Sequence, residues 1–219
     1  DGRSIRTFAS GLREPFIGVH PETGIVTASD QQGNFVPSTP IYRIEEGAYY
    51  GVPATAHRED LPEIEDALSW IPHEVDQSGA GQAWITGGSL GFSDDALIHV
   101  SYGRPGAFRI YIDEAAAGRQ GAAISLTDDF SAPLLKGEMH PRSGELYVAG
   151  FQIWGTRSGG IRTLARVRYT GRPSPLPEAV SAGEQGVMVR FGVPLDPTVA
   201  ADASRYEVAR WDYLRSERY

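Results

Sequence analysis

Cysteine is absent from this 219-residue sequence, and lysine occurs once, at Lys136. Without cysteine the chain has no disulfide, no thiolate metal site and no Cys-x-x-Cys-His motif to attach a c-type haem. The formal charge of -8 argues against non-specific binding to nucleic acid, which needs a cationic surface. No apolar run approaches the length of a membrane span, and Asp1 to Arg3 is typical of a trimmed end.

Two stretches of the chain repeat each other, at residues 20–30 and 140–150, and a weaker copy covers residues 91–101. The two stronger copies have a polar turn closed by Gly24 or Gly144, and all three run into an alternating strand. Such units, spaced far enough apart to hold several short strands each, are typical of β-propeller blades. We therefore predict an all-β fold with a partial β-propeller of about three four-stranded blades.

The predicted propeller covers residues 1–171, and a Pro-rich linker follows at residues 172–178. Residues 179–219 are predicted to start an immunoglobulin-like β-sandwich, with strands at 186–191 and 206–213. Three blades fall short of the four to eight in a closed ring. Both parts therefore look cut, and further blades or a second copy of the chain would have to complete the ring.

Three further elements are predicted within the propeller part. Residues 3–10 alternate as a strand would, whereas residues 61–68 are the one place where a helical turn is predicted. Residues 30–40 contain too many turn formers to be a strand throughout, so they are predicted to form a long ordered loop.

The segments at residues 11–16 and 29–38 resemble the glucose/sorbosone dehydrogenase group, whose propellers use pyrroloquinoline quinone. They are more similar still to large secreted haem-binding proteins of planctomycetes, verrucomicrobia and their relatives. Features at residues 70–73, 160–173 and 194–211 also fit that subgroup, so the resemblance covers nearly the whole chain. It implies oxidation of a sugar or alcohol hydroxyl, a cytochrome c domain or protein as electron acceptor, and a periplasmic or extracellular location.

The resemblance also implies roles for the loop that begins at Asp30. In the family an Asp-Gln-Gly-Arg-Asn type loop brings an Arg and an Asn to the quinone and substrate. Here Gln31 and Asn34 match as cofactor contacts, and Gly33 stands where the family has Arg. The Asp30 carboxylate, with amide and carbonyl oxygens nearby, is a candidate ligand for Ca²⁺. Alternatively, Asp30 caps the turn through its own backbone.

Histidines and acids elsewhere provide candidate catalytic groups. His73, with Asp76 nearby, is a candidate acid/base pair near neutral pH, although such a pair is also ordinary in a surface loop. His20 and His140 occupy equivalent repeat positions, which favours a structural role. His99 lies on an alternating strand, where placement in the core or at an edge explains it.

Arginines on the later loops are candidates for gripping an anionic cofactor. Guanidinium groups pair bidentately with carboxylates, and Arg104, Arg157 and Arg162 all lie on predicted loops. Trp154 offers a ring that would stack on a sugar or a planar quinone. The alternatives are solvated loop arginines and a Trp packed between blades.

Two functions of different classes follow. The first is part of a quinone-dependent sugar or alcohol dehydrogenase, with pyrroloquinoline quinone, Ca²⁺ and no haem attached within this chain. The second is a non-catalytic propeller that recognises glycan or protein at a cell surface. Gly33 in place of Arg favours the second, and the dense polar loops after the second strand of the first and third blades favour the first.

Overall fold

The structure is a computed structural model that describes residues 2–92, 95–114 and 119–218. Antiparallel strands dominate it, and the helical segments are short. None of the helices in these ranges has the length and apolar character that a membrane crossing needs. The strands are β1 (Phe16–Val19), β2 (Val26–Ser29), β3 (Thr39–Ile44), β4 (Ser69–Ile71), β5 (Gly79–Ile85), β6 (Ala96–Ser101), β7 (Gly106–Asp113), β8 (Gln120–Thr127), β9 (Lys136–Met139), β10 (Leu146–Phe151), β11 (Arg162–Val167), β12 (Pro177–Gly183) and β13 (Gly186–Phe191).

The strands form three blade-like sheets in chain order. Blade 1 has the order β1-β2-β3-β4, blade 2 has the order β5-β6-β7-β8, and blade 3 pairs β9, β10 and β11. Each strand pairs with the next one along the chain, as the alternating segments and tight turns predict. The predicted all-β partial propeller is confirmed, although the described part of blade 3 has three strands rather than four.

The first strands of the three blades lie side by side, with β1 packed on β5 and β5 packed on β9. This is the arrangement of innermost strands around a propeller axis. Close approach requires small residues here. A Cβ atom at Gly81 would lie 2.7 Å from the carbonyl oxygen of Leu135, so a side chain there would push blades 2 and 3 apart.

Apolar side chains fill the space between the blades. Ile98 and Val100 of blade 2 pack against Leu146 and Val148 of blade 3 in one buried cluster. Between blades 1 and 2, Ile41 and Ile71 of blade 1 meet the blade 2 residues Leu97, Phe108 and Ile110. Each strand places alternate residues on opposite faces, so one sheet contributes to two interfaces.

The repeated turns have the same geometry in blades 1 and 3. The His20 N–H donates to the Ile25 carbonyl at 2.8 Å, and the His140 N–H donates to the Glu145 carbonyl at 2.9 Å. Both imidazole rings accept a backbone N–H at Nδ1 within their own turn. These hydrogen bonds within the turns give both histidines a structural role. In the weaker middle copy, residues 93 and 94 lie outside the described residues, and β6 follows them as predicted.

The helical turn predicted at residues 61–68 is wrong. The segment is extended, and Ile64 forms a parallel bridge with Tyr49. Leu61 and Ile64 are 48% and 41% exposed, so these two side chains bury little apolar surface that could stabilise a helix. Extended backbone instead lets the Glu65 N–H donate to the Tyr49 carbonyl at 2.8 Å and the Leu68 N–H donate to the Ile41 carbonyl at 2.8 Å.

The strands predicted at residues 3–10 and 206–213 are also absent from the described structure. Neither segment has a neighbouring strand along its length. An alternating pattern of polar and apolar residues does not form a strand without such a hydrogen-bonding partner. Residues 186–191 do form a strand, paired with β12 as a two-stranded sheet. That hairpin packs on β7 and β8 of blade 2, where the Tyr111 hydroxyl donates to the Pro177 carbonyl at 2.6 Å. The immunoglobulin-like sandwich therefore stays a prediction.

Candidate functional site at the loop face

In all three blades the first strand begins where the second strand ends, as the antiparallel partners Phe16 with Ser29 and Gly79 with Ser101 show. The β2–β3, β6–β7 and β10–β11 loops and the two blade connections therefore lie at one end of the molecule. We call this end the loop face and define it as residues 30–38, 72–78, 102–105, 128–135 and 152–161. The sequence-predicted site residues lie on it or at its border: Asp30, Gln31, Asn34, His73, Asp76, Arg104, Trp154, Arg157 and Arg162.

Hydrogen bonds join the loops of neighbouring blades into one network. The Gln32 side chain donates to the Ser78 hydroxyl at 3.1 Å and accepts the Ser78 N–H at 2.9 Å. The Gly103 N–H donates to the Gln77 carbonyl at 2.7 Å, and its carbonyl accepts the Arg157 N–H at 3.0 Å. The loop face is consequently a connected surface across all three blades.

Asp30 is buried, and backbone N–H groups surround its carboxylate. Oδ1 accepts from Glu14 at 2.6 Å and Gln31 at 2.9 Å, and Oδ2 accepts from Arg13 at 2.7 Å. Burial raises the pKa of Asp30 above its ordinary value, and the three N–H donors oppose that rise. Asp30 therefore caps backbone N–H groups. The bond to Gln31 lies within its own turn, which is the capping role that the sequence offered as the alternative to Ca²⁺ binding. A carboxylate so engaged fits Ca²⁺ poorly, and its role as a calcium ligand stays a prediction.

Gly33, which stands where the dehydrogenases that the sequence resembles have an arginine, is covered by the side chain of Arg13. A Cβ atom at Gly33 would lie 2.5 Å from Nε of Arg13, so this guanidinium rests on the glycine backbone. Arg13 also pairs with Glu14 at 3.2 Å and remains about one third exposed. The loop therefore has a cation beside it, supplied from the segment before β1. Arg13 was not among the predicted site residues, although it lies within the segment at residues 11–16 that carries the resemblance.

Gln31 and Asn34 differ in their surroundings. Gln31 is half-buried at the start of the loop. Asn34 is exposed, and its Nδ2 donates to the backbone carbonyl of Glu217 at 2.6 Å. The C-terminal segment therefore contacts one of the two predicted cofactor-binding residues of this loop.

Asp76 pairs with His99 rather than with His73. Asp76 Oδ2 lies 2.7 Å from Nε2 of His99, and the Ser101 hydroxyl donates to Oδ1. Asp76 and His99 are both 0% exposed, so this cluster has no contact with solvent. It holds the 72–78 connection against β6. His73 stays a candidate acid/base group, since it is half-buried and its backbone carbonyl accepts from Nε of Arg104 at 3.1 Å.

Arg104 and Arg157 converge on a cleft of about 370 Å³, where Phe108 and Phe130 form an apolar part of the wall. Burial lowers the pKa of Arg104, and the positive charge of Arg157 lowers it further. Two cations that repel each other favour an anion between them. Glu74 and Asp128 also line the cleft and partly offset this charge.

Trp154 and Arg162 lie at the blade 3 side of the loop face. The Trp154 ring packs on Tyr102 with centroids 4.5 Å apart, and the Tyr102 hydroxyl accepts the Trp154 N–H at 2.8 Å. Contact between blades 2 and 3 thus explains much of its placement, while 41% of the residue stays exposed. Arg162 is exposed at the first position of β11, outside the cleft.

Residues 2–92, 95–114 and 119–218 contain no group of three or more His, Cys, Asp or Glu side chains that could hold a metal ion. Among the described residues, Arg104, Arg157 and, beside Gly33, Arg13 give the predicted site its positive charge.

No protein-family model matches the chain, and no curated protein matches it. Solved structures do. A glucose dehydrogenase from Thermus thermophilus has a TM-score of 0.53 at 20% identity, covering 73% of this chain and 46% of that one. Another glucose dehydrogenase has a TM-score of 0.54 at 19% identity, with coverage of 75% and 46%. The PQQ-bound aldose sugar dehydrogenase of Streptomyces coelicolor has a TM-score of 0.50 at 17% identity, with coverage of 74% and 45%.

These likenesses establish the fold. The chain has the propeller fold of glucose and aldose sugar dehydrogenases, as the sequence resemblance implied. It spans just under half the length of the structures it matches.

Proposed function

We propose that this chain is part of a quinone-dependent dehydrogenase that oxidises a sugar or alcohol hydroxyl. The observation that carries the proposal is the Arg104–Arg157 pair, which converges on one cleft of the loop face. Similarity in fold to a propeller that binds PQQ adds support. Pyrroloquinoline quinone is a planar polycarboxylate, so paired guanidinium groups beside aromatic side chains match its charge and shape.

Two arginines of the cleft and His73, which precedes the cleft residue Glu74, have distinct tasks in this proposal. Arg104 is oriented by the His73 carbonyl and presents its remaining N–H groups to a carboxylate. Arg157 has an exposed side chain, and its backbone N–H donates to the Gly103 carbonyl of blade 2. Its guanidinium therefore binds the cofactor carboxylate from the blade 3 side. His73 accepts the proton that the substrate hydroxyl loses. Pyrroloquinoline quinone bound there would supply a two-electron acceptor for the hydride that leaves the substrate carbon.

The partners follow from the same proposal. Electrons would pass to a cytochrome c domain or protein, and the reaction would take place in the periplasm or outside the cell. Three blades leave the ring open, so further blades or a second copy of the chain would enclose the axis. The sugar or alcohol would enter over the loop face, where the cleft opens.

The test is binding of pyrroloquinoline quinone to the purified chain, with and without Ca²⁺, followed by its absorption band. We expect binding, and we expect Arg157→Ala to weaken it by at least about tenfold because a charged hydrogen bond is lost. Arg142→Ala is the matched control, since Arg142 is exposed on the His140 turn at the opposite end. Quinone-dependent dye reduction with a panel of sugars would then identify the substrate. Absence of any quinone band for the unmodified chain would overturn the proposal.

A non-catalytic binding module is the second candidate. The engaged Asp30 carboxylate and the glycine at position 33 favour it, because neither presents the polar groups that the family uses. Binding to an immobilised glycan array without quinone would support this candidate. The effect of Arg157→Ala on that binding would show whether the same cleft is used.

A further inference from the structure

The C-terminal segment crosses the 30–38 loop of blade 1, far from its own position in the chain. The Phe35 N–H donates to the Ser216 carbonyl at 2.7 Å, and the Asn34 Nδ2 donates to the Glu217 carbonyl at 2.6 Å. The Tyr213 ring lies on Trp70 with centroids 5.6 Å apart. We call residues 213–217 the strap. It joins the last part of the chain to a loop about 180 residues earlier.

Arg215 anchors the strap. Its Nη1 donates to the Tyr50 carbonyl at 2.9 Å and to the Phe35 carbonyl at 3.3 Å, and its Nη2 lies 3.4 Å from the Tyr42 hydroxyl. The guanidinium carbon also lies 5.1 Å from the centre of the Trp70 ring. Three fixed oxygens and an aromatic face suit a planar guanidinium, which has five donors in a rigid fork.

The pocket around Arg215 is built from residues whose shape and charge fit a guanidinium. Gly51 has a φ of 100°, and a Cβ atom there would clash with Nη1 of Arg215. Tyr42 is fully buried, and burial raises its pKa to about 12, so its hydroxyl is neutral at physiological pH. The direct acceptors of Arg215 are thus all uncharged, which makes geometry rather than a salt bridge the basis of recognition.

The strap also holds the backbone of the loop. Phe35 has a φ of 64°, which is uncommon for a residue with a large side chain. Both polar groups of its backbone contact the strap, since its N–H meets Ser216 and its carbonyl meets Arg215. The strap therefore stabilises a conformation that the loop would not readily keep alone.

We propose that blade 1 contains a binding pocket for an arginine side chain, that Arg215 of the strap occupies it, and that the docked strap positions the 30–38 loop. Arg215 is a positioning residue in this proposal, since it acts through Phe35 and Asn34. The inference goes beyond the proposed dehydrogenase function and does not depend on it, because any ligand of the loop face would meet the same loop.

The experiment is backbone amide hydrogen exchange, measured by NMR on the full chain. In the unmodified protein we expect the Phe35 amide to be protected. Arg215→Ala should speed its exchange at least tenfold while leaving the Ile98 amide, at the centre of β6, unchanged. Arg215→Lys should give an intermediate rate, because one ammonium group cannot meet all three oxygens. Arg210→Ala is the control, since its side chain is 89% exposed and its ion pair with Asp212 is a local one, away from the 30–38 loop.

Two results would overturn the proposal. One is an unprotected Phe35 amide in the unmodified chain, a measurement that needs no variant to fold. The other is equal Phe35 exchange in Arg215→Ala and Arg210→Ala with Ile98 protected in both. Neither result involves quinone, so failure here leaves the proposed function standing, and failure of quinone binding leaves this proposal standing.

Discussion

Blades 1 and 3 have the same alternation of strand residues, but among the described residues the sheet face that points away from blade 2 is covered only in blade 1. We call this face of each blade the outward face. On blade 1 the outward face, marked by Ala28 and Tyr42, is buried beneath Ala9, Leu12 and Tyr50. The strap covers it further through Trp70 and Arg215. On blade 3 the outward face carries Phe151, which is 56% exposed, and Leu164, which is 77% exposed.

The two blades show that forming a sheet and covering its outward face depend on different parts of the chain. Local alternation and tight turns suffice to form either blade. Covering the outward face depends on segments elsewhere in the chain, and blade 1 has them whereas the described part of blade 3 does not. The β12–β13 hairpin, which follows blade 3, packs on blade 2 instead.

Truncating one residue on each outward face should give the largest difference in stability between blades 1 and 3. Tyr42→Ala removes a ring that packs on Tyr50 and Trp70, so we expect a loss of about 3–5 kcal/mol in the free energy of unfolding. Leu164→Ala should change it by less than about 0.5 kcal/mol, because the side chain is mostly exposed. Denaturant titration followed by circular dichroism measures both. Equal losses would mean that blade 3 is covered after all.

Alkaline pH should destabilise the folded chain through the buried tyrosines of blade 1. Burial raises the pKa of Tyr42 to about 12 in the folded chain, against about 10 when unfolded. The stabilisation from the neutral phenol is therefore fully present below pH 10 and is lost as the pH rises to about 12. We expect a decrease of roughly 2–3 kcal/mol in the free energy of unfolding across that window. Tyr42→Phe should reduce this pH dependence without abolishing it, because burial also raises the pKa of Tyr50 to about 12. An unchanged slope in that variant would contradict the assignment.

Removing an arginine from each end should have a smaller effect. Arg215→Ala deletes a charged donor with three oxygen acceptors, so we expect it to lower the free energy of unfolding by about 1.5 kcal/mol. Arg166→Ala on blade 3 breaks an ion pair with Glu145 at 3.5 Å, a half-exposed contact worth well under about 1 kcal/mol. Thermal denaturation of the two variants under one buffer condition provides the comparison, and a larger effect for Arg166 would reverse it.

The smallest effect on stability is expected on the open face itself. Replacing Phe151 and Leu164 with Gln should change the free energy of unfolding by less than about 0.5 kcal/mol, because both side chains already contact solvent. If two copies of the chain complete a ring through this face, the unmodified protein should sediment as a dimer and the double variant as a monomer. A monomeric unmodified protein would exclude that ring.

Much of the architecture could be predicted from local sequence. The turns that begin at His20 and His140 and the short alternating strands depend on interactions within a few residues. The turn-forming residues after Asp30 likewise show where in the chain the long polar loop lies. The candidate site was predicted as a surface for the same reason, since loops after equivalent strands must lie at one end. The helical turn at residues 61–68 failed because its outcome depends on Tyr49 and Ile41, which local sequence does not name.

The amino-acid sequence by itself determined the all-β class, the blade repeat and which loops share a face, because strand periodicity and turn chemistry are local properties. Only the tertiary structure decided the partners of individual side chains. Asp76 meets His99 rather than His73, Arg13 covers Gly33, and Arg215 reaches Tyr50 across 165 residues of chain. Such contacts arise from the packing of whole blades, and nothing in the spacing of the residues specifies them.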